Sequence, residues 1–239
     1  MPEAIQLSNS MKVACYTPVI GRNWFLRNCV LQMKAQTRRP DVHYLLINGA
    51  DADSYDLSTI ADLLDEKIVI QTYAHDSNNA LLAPKCIKAL LDNNFDLFLK
   101  VDSDDMYYVH YVETLLHHFQ DHPQTDGLMV NLIDQFWLSL DTNGNAIVRN
   151  GAFHQGLGLN EHDIERGIKV GLPPTTAFDR TIAQLIVSNA DTPRYAHITS
   201  DDILYREILI DNGIIIEQLS TEQPIFGYTV HDSNISKPG

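Results

Sequence analysis

Apolar residues recur along the chain at two spacings. Four short, nearly continuous runs occupy residues 12–17 (K-V-A-C-Y-T), 43–48 (H-Y-L-L-I-N), 67–73 (K-I-V-I-Q-T-Y) and 97–101 (L-F-L-K-V). This is the pattern of strands buried on both faces of a sheet. Between them, Phe25, Leu26, Cys29, Val30 and Met33 recur at helical spacing, as do Leu82, Cys86, Ala89 and Leu90. Pro18 should end the first strand, and Asn23 can cap the helix that follows. Residues 57–64 read as a short helix and 81–91 as a longer one. Strands alternating with helices over short links predict an α/β fold with a mainly parallel sheet and right-handed crossovers.

The pattern continues with a helix over 109–119, closed by His122-Pro123 and Gly127. Residues 128–140 then form one long apolar segment. The run D-T-N-G-N at 141–145 is a hairpin-turn signal, with 146–148 as the returning strand. Residues 149–180 are rich in Gly, His and Pro and lack clear periodicity, as expected of loops and short helices covering the sheet's C-terminal edge. Helices are expected over 181–188 and 201–211, the second ended by Asn212-Gly213, and a last strand over 214–219. No repeat, low-complexity stretch or linker interrupts the chain, so a single domain is expected.

The 239 residues are 44% apolar, and no run approaches the roughly 18 apolar residues of a membrane span. The N-terminus lacks the basic and apolar blocks of a signal peptide. Three cysteines, Cys15, Cys29 and Cys86, share no metal-ligand spacing, and an odd count argues against a disulfide framework. The cytoplasm is the simplest location. A net charge of −14 disfavours nucleic-acid partners, because a phosphate backbone needs a basic footprint.

The chemistry concentrates where the fourth strand meets Asp102, Asp104 and Asp105. Asp is a poor strand former, so the carboxylates should lie at the strand's C-terminal end, where open α/β sheets bind ligands. Crowded carboxylates repel, and a hard cation such as Mg²⁺ or Mn²⁺ relieves the repulsion, with substrate phosphates completing its shell. A solvated Asp-rich turn opening the next helix is the plain alternative. An EF-hand is set aside, since Tyr107 stands where its loop needs Gly. Neither G-x-G-x-x-G nor G-x-x-x-x-G-K-S/T occurs, which removes the dinucleotide and P-loop fingerprints. A second acidic pair, Asp201-Asp202, opens a helix, and His231 comes late in the chain.

These motifs carry a resemblance. Y-T-P after the first strand with Arg22-Asn23 downstream, V-D-S-D-D, T-S-D-D-I-L-Y-R-E-I-L and H-D-S-N-I-S follow in this order over residues 12–236. Together the set resembles a GT-A-fold glycosyltransferase of the family 2 type. The resemblance implies a Rossmann-like GT-A domain, with a nucleotide-sugar half over 11–127 and an acceptor half over 128–239. It places Thr17 and Pro18 at the nucleotide base, and Asn48 or Asp51 near the base or ribose. Asn79 and Lys85 would precede the D-x-D strand, Lys85 facing the diphosphate. Asp102 would face the ribose and donor sugar, and Asp104 would hold the metal, Mn²⁺ or Mg²⁺, with Asp102 and His231 completing the site. Asp202 matches the general base. The chain departs from the family in T-P-V-I for P-T-Y-N, in N-G-A-D for an Asp pair, and in Asp-Asp for Glu-Asp, which leaves Asp201 a rival to Asp202.

The implied activity is inverting transfer of a hexose or N-acetylhexosamine from a nucleotide-diphosphate sugar, expected to be UDP-linked, to a hydroxyl of a glycan or lipid-linked acceptor in polysaccharide biosynthesis. The residue types suit it: a metal stabilises the leaving diphosphate, and a carboxylate removes the acceptor proton. Phe136 and Trp137 could stack on an acceptor sugar, and His154, His162 and Arg166 could touch it. A catalytically silent module binding a nucleotide sugar or a partner is the alternative from another class. A GT-A-like nucleotidyltransferase ranks last, for want of a Gly- and basic-rich first loop.

Overall fold

In the computed structural model, β1 (Val13–Val19) runs through the middle of a seven-stranded sheet. The structure describes residues 11–19, 23–48, 56–73, 79–123, 126–132, 136–140, 146–149, 175–214, 216–221 and 223–230. On one side of β1 lie β2 (Val42–Asn48) and β3 (Ile68–Tyr73), both parallel to their neighbours. On the other lies β4 (Leu97–Lys100), also parallel to β1. Then come β9 (Ala177–Asp179), antiparallel to both its neighbours, β6 (Met129–Leu132) and β10 (Ile216–Leu219). A smaller sheet carries β5 (Met106–Tyr107), β11 (Phe226–Val230), β7 (Phe136–Leu140) and β8 (Ala146–Arg149), in that order.

Helices cover both faces because successive residues of a buried strand point opposite ways. Ala14 and Tyr16 face one layer, with Cys86, Ile87 and Leu90 of α2 (Leu82–Asp92) and Ile182 and Ile186 of α4 (Arg180–Asn189). The same layer takes in Leu204, Tyr205, Ile208 and Leu209 of α5 (Asp201–Asp211). Val13 and Cys15 face the other, with Cys29 and Met33 of α1 (Asn23–Lys34) and Val112, Leu115 and Phe119 of α3 (Tyr111–Asp121). Each such leucine or isoleucine, fully withdrawn from water, contributes about 1.5–3 kcal/mol. The expected α/β class, a mainly parallel Rossmann-like sheet flanked by helices, is the fold found. Among the described residues no helix is long and apolar enough to cross a membrane.

Several local expectations need correction. Pro18 lies inside β1 rather than ending it. β4 pairs with β1 only as far as Tyr16, so by Pro18 one edge of β1 is already without that neighbour and the missing N–H costs no ladder bond there. The short helix expected over 57–64 is present as a 3₁₀ helix, Leu57–Leu63, started by Asp56, whose carboxylate accepts from the Ser58 N–H at 3.0 Å. The long apolar segment over 128–140 divides into β6 and β7, which belong to different sheets. The returning strand pairs as expected, with Leu138 opposite Val148. The strand over 214–219 is followed by a further one, β11. Strands β5 and β9, two and three residues long, are too short to show any periodicity.

Candidate active site

Lys100 is the last residue of β4, and Asp102 follows two positions on. That spacing keeps both side chains on the face that α5 covers. α5 is anchored there by Tyr205, which is fully buried and accepts a 3.3 Å hydrogen bond from the Tyr16 hydroxyl of β1. Ser200 caps α5 through its backbone, its carbonyl accepting from the Leu204 N–H at 3.0 Å, with no capping bond from its side chain. Asp201 and Asp202 therefore stand in the first turn, where the helix dipole favours anions. Asp201 Oδ1 also accepts from the Asp202 N–H at 3.0 Å.

The two acidic groups meet on one ammonium. Lys100 Nζ lies 2.5 Å from Asp202 Oδ1, 3.4 Å from Asp102 Oδ1 and 3.5 Å from Asp201 Oδ1. Lys100 is only 3% exposed, while the three carboxylates keep 16–25% of their surface open to the sheet edge. Asp201 Oδ2 is buried without a hydrogen-bond partner among the described residues. Burial by itself would lower the pKa of Lys100, but the three surrounding carboxylates outweigh it and hold the amine charged, well above its ordinary value. Burial pushes Asp102 up to about 6 and Asp202 up to about 7; Lys100 opposes the rise and neighbouring carboxylates add to it.

Asp104 and Asp105 serve other surroundings. Together with Ser103 they line a cavity of about 560 Å³, walled on its far side by Phe25, Leu31 and Gln32 of α1. Asp105 is buried, and its Oδ1 accepts from the Thr229 N–H of β11 at 3.0 Å. Burial, reinforced by Asp102 and Asp104, raises its pKa well above the carboxylate range. Two side chains fix the shape of this loop. The Tyr107 hydroxyl accepts from the Asp102 N–H at 2.7 Å. Gln32 accepts from the Tyr107 N–H at 2.6 Å and donates to the Asp105 carbonyl at 3.1 Å.

Of the remaining sequence candidates, the described ones belong to β1, β2 and the start of α2. Thr17 is fully buried, its hydroxyl bonded to His43 Nε2 at 2.8 Å and near Cys29 Sγ at 3.7 Å, so its side chain is committed to the interior. Pro18 is half-buried. Asn48 ends β2 opposite Tyr73. Asn79 opens a 3₁₀ turn, Asn79–Leu81, ahead of α2, and Lys85 is exposed on the first turn of that helix. Asp51, His154, His162, Arg166 and His231 lie outside the described residues, as do the side chains of Asn48, Asn79, Phe136 and Trp137. Lys100 is the residue that sequence reasoning passed over. Its signal was a single charge interrupting a buried run, two positions before an aspartate.

A hard cation asks for oxygen ligands, and Asp104, which lines the cavity, carries a carboxylate of that kind. Among the described residues no three His, Cys, Asp or Glu side chains converge to hold a metal.

No protein-family model and no curated protein sequence matches the chain. Solved structures do. The structure of S. aureus TarS 1-349 in complex with UDP-GlcNAc is similar at a TM-score of 0.60 and 14% identity, over 94% of this chain and 60% of that one. The same protein in complex with UDP is similar at a TM-score of 0.59 and 14% identity, over 92% of this chain and 61% of that one. The chain thus spans about three fifths of the length of these structures. At this identity the likeness is one of fold.

Proposed function

We propose that the protein is a glycosyltransferase that moves a sugar from a nucleotide-diphosphate donor, UDP-linked, to an acceptor hydroxyl with inversion. The observation that carries this reading is the meeting of Asp102, at the C-terminal end of β4, with Asp201 and Asp202, at the start of α5, on the open edge of the sheet. Donor binding and proton removal need carboxylates from separate segments, because a single displacement attacks the face opposite the leaving group. The fold shared with a protein crystallised with UDP-GlcNAc supports the choice of donor class.

In this reading Asp202 takes the proton of the acceptor hydroxyl, and Asp102 bonds the ribose and donor sugar. Asp201 shares Lys100 with both. Pro18, Asn48 and Asp51 supply the wall around the base, with Thr17 contributing only its backbone because its side chain is turned inward, and Asn79 and Lys85 approach the diphosphate from the start of α2. A Mn²⁺ or Mg²⁺ ion belongs to the proposal. Asp104 would hold it, with His231 as a further ligand and Asp102 kept on the donor side by Lys100, and the bound ion would neutralise charge developing on the leaving diphosphate. The acceptor is a glycan or a lipid-linked sugar.

Calorimetric titration of UDP, with GDP and CMP as comparisons, in Mn²⁺ and in EDTA, tests the donor site. UDP binding that needs Mn²⁺, followed by UDP release from UDP-GlcNAc or another UDP-sugar, is the expected result. No nucleotide binding with Mn²⁺ present would overturn the reading.

A further inference from the structure

We propose that Lys100 is a positioning residue for the transfer, acting through Asp202; this rests on the glycosyltransferase reading above. Lys100 comes from the central sheet and Asp202 from a helix 102 residues later in the chain, yet their charged atoms are 2.5 Å apart. The Lys100 backbone N–H is itself fixed by the Thr176 carbonyl of the neighbouring segment at 2.9 Å, so the ammonium projects from a rigid strand. It approaches Oδ1 of Asp202. Holding one oxygen fixes the rotation of the carboxylate and leaves the other to face an acceptor hydroxyl. Reach and alignment at a general base decide its efficiency, and misplacement by about 1 Å can cost on the order of 100-fold.

The same ammonium faces Asp102, the donor-side carboxylate, at 3.4 Å. Lys100 therefore sets the distance between the group that binds the donor and the group that receives the acceptor proton. A lysine with a merely structural role would add stability without coupling to Asp202 in turnover. In a positioning role, removal of either partner disables the same step, so the second removal adds little.

The test is a double-mutant cycle on UDP release from UDP-GlcNAc, or from whichever UDP-sugar wild type turns over, with UDP affinity measured in parallel. Lys100→Met should lower kcat by at least ~100-fold while the Kd of UDP in Mn²⁺ moves less than about three-fold. Asp202→Asn should lose a similar amount, and the double variant no more than about three-fold beyond the worse single one. Lys100→Arg keeps the buried charge and serves if Lys100→Met does not fold. Its planar fork cannot repeat a single-atom contact to three carboxylates, so kcat should still fall about ten-fold or more. Losses that multiply in the double variant, or wild-type kcat in Lys100→Met or Lys100→Arg, overturn the role of Lys100 alone. If wild type turns over no UDP-sugar, or Asp202→Asn leaves turnover intact, the transferase reading falls and the role of Lys100 falls with it.

Discussion

Asp102 and Asp104 stand two residues apart and serve different surroundings: Asp102 Oδ1 is 3.4 Å from Lys100 Nζ, whereas Asp104 lines the cavity beside α1. A pair acting only as joint metal ligands would not be divided in this way. The two substitutions should therefore separate. Asp104→Asn should remove the Mn²⁺ dependence of UDP binding, bringing the affinity in Mn²⁺ to that in EDTA. Asp102→Asn should weaken UDP by about ten-fold, roughly 1.4 kcal/mol, and leave the ratio between Mn²⁺ and EDTA standing. Calorimetry on both variants decides it. Equal loss of the Mn²⁺ increment in the two would show a shared metal role.

Asp201 and Asp202 differ in what they present. Lys100 is a full ångström closer to Asp202, and Asp201 Oδ2 is buried with no partner among the described residues. A base must reach substrate, so Asp202→Asn should cost about 10²–10⁴-fold in kcat, and Asp201→Asn about ten-fold through the lost contact to Lys100. The reverse order of effects would make Asp201 the base.

The pH profile of the same reaction follows from burial. A general base acts as its anion, and burial pushes Asp202 up to about 7. Turnover should rise with pH below about 7 and level above it, because protonation removes the base as pH falls. Ordinary carboxylates would place that limb near pH 4. An activity flat from pH 5 to 8, or a limb that persists in Asp202→Asn, would exclude this group as its source.

Which parts of this arrangement were legible beforehand follows from how locally each is encoded. The strand at 97–100 and the helix at 201–211 announce themselves through apolar spacing, and Asp102, Asp201 and Asp202 lie at their ends. That the two ends share Lys100 depends on the crossing of α5 over β4, a contact spanning 102 residues that no local pattern carries. Thr17 shows the converse. Its place in the first strand reads from sequence, but the turn of its hydroxyl inward to His43 is set by a residue on the next strand. The two- and three-residue strands β5 and β9 are held by neighbours, Gln32 among them, rather than by their own propensity.

His43 gives a stability prediction of known sign. Burial, with Arg39 nearby, lowers its pKa from 6.5 to about 3, and Nε2 pairs with Thr17 while Nδ1 finds no partner among the described residues. The folded state thus binds a proton more weakly than the unfolded chain. The contribution of neutral His43 is whole above pH 6.5 and is lost as pH falls towards 3, at about 1.4 kcal/mol per pH unit. Urea unfolding at pH 7 and pH 5 measures it, and His43→Leu should flatten that part of the profile. An unchanged difference in His43→Leu would assign the acid sensitivity to other groups.

Asp105 is the acidic neighbour whose work is structural. It is 3% exposed, and its Oδ1 accepts from the Thr229 N–H, tying the loop after β4 to β11. Asparagine keeps that acceptor and carries no charge, and burial already raises the pKa of Asp105 well above the carboxylate range. Asp105→Asn should therefore change stability by less than about 1 kcal/mol, whereas Asp105→Ala leaves a buried N–H without its partner and should cost about 1–3 kcal/mol. UDP affinity should survive in Asp105→Asn, unlike in Asp104→Asn. Denaturant melts with parallel calorimetry read both quantities. A large loss of stability in Asp105→Asn would mean that the side chain is buried as an anion and that its charge holds the loop.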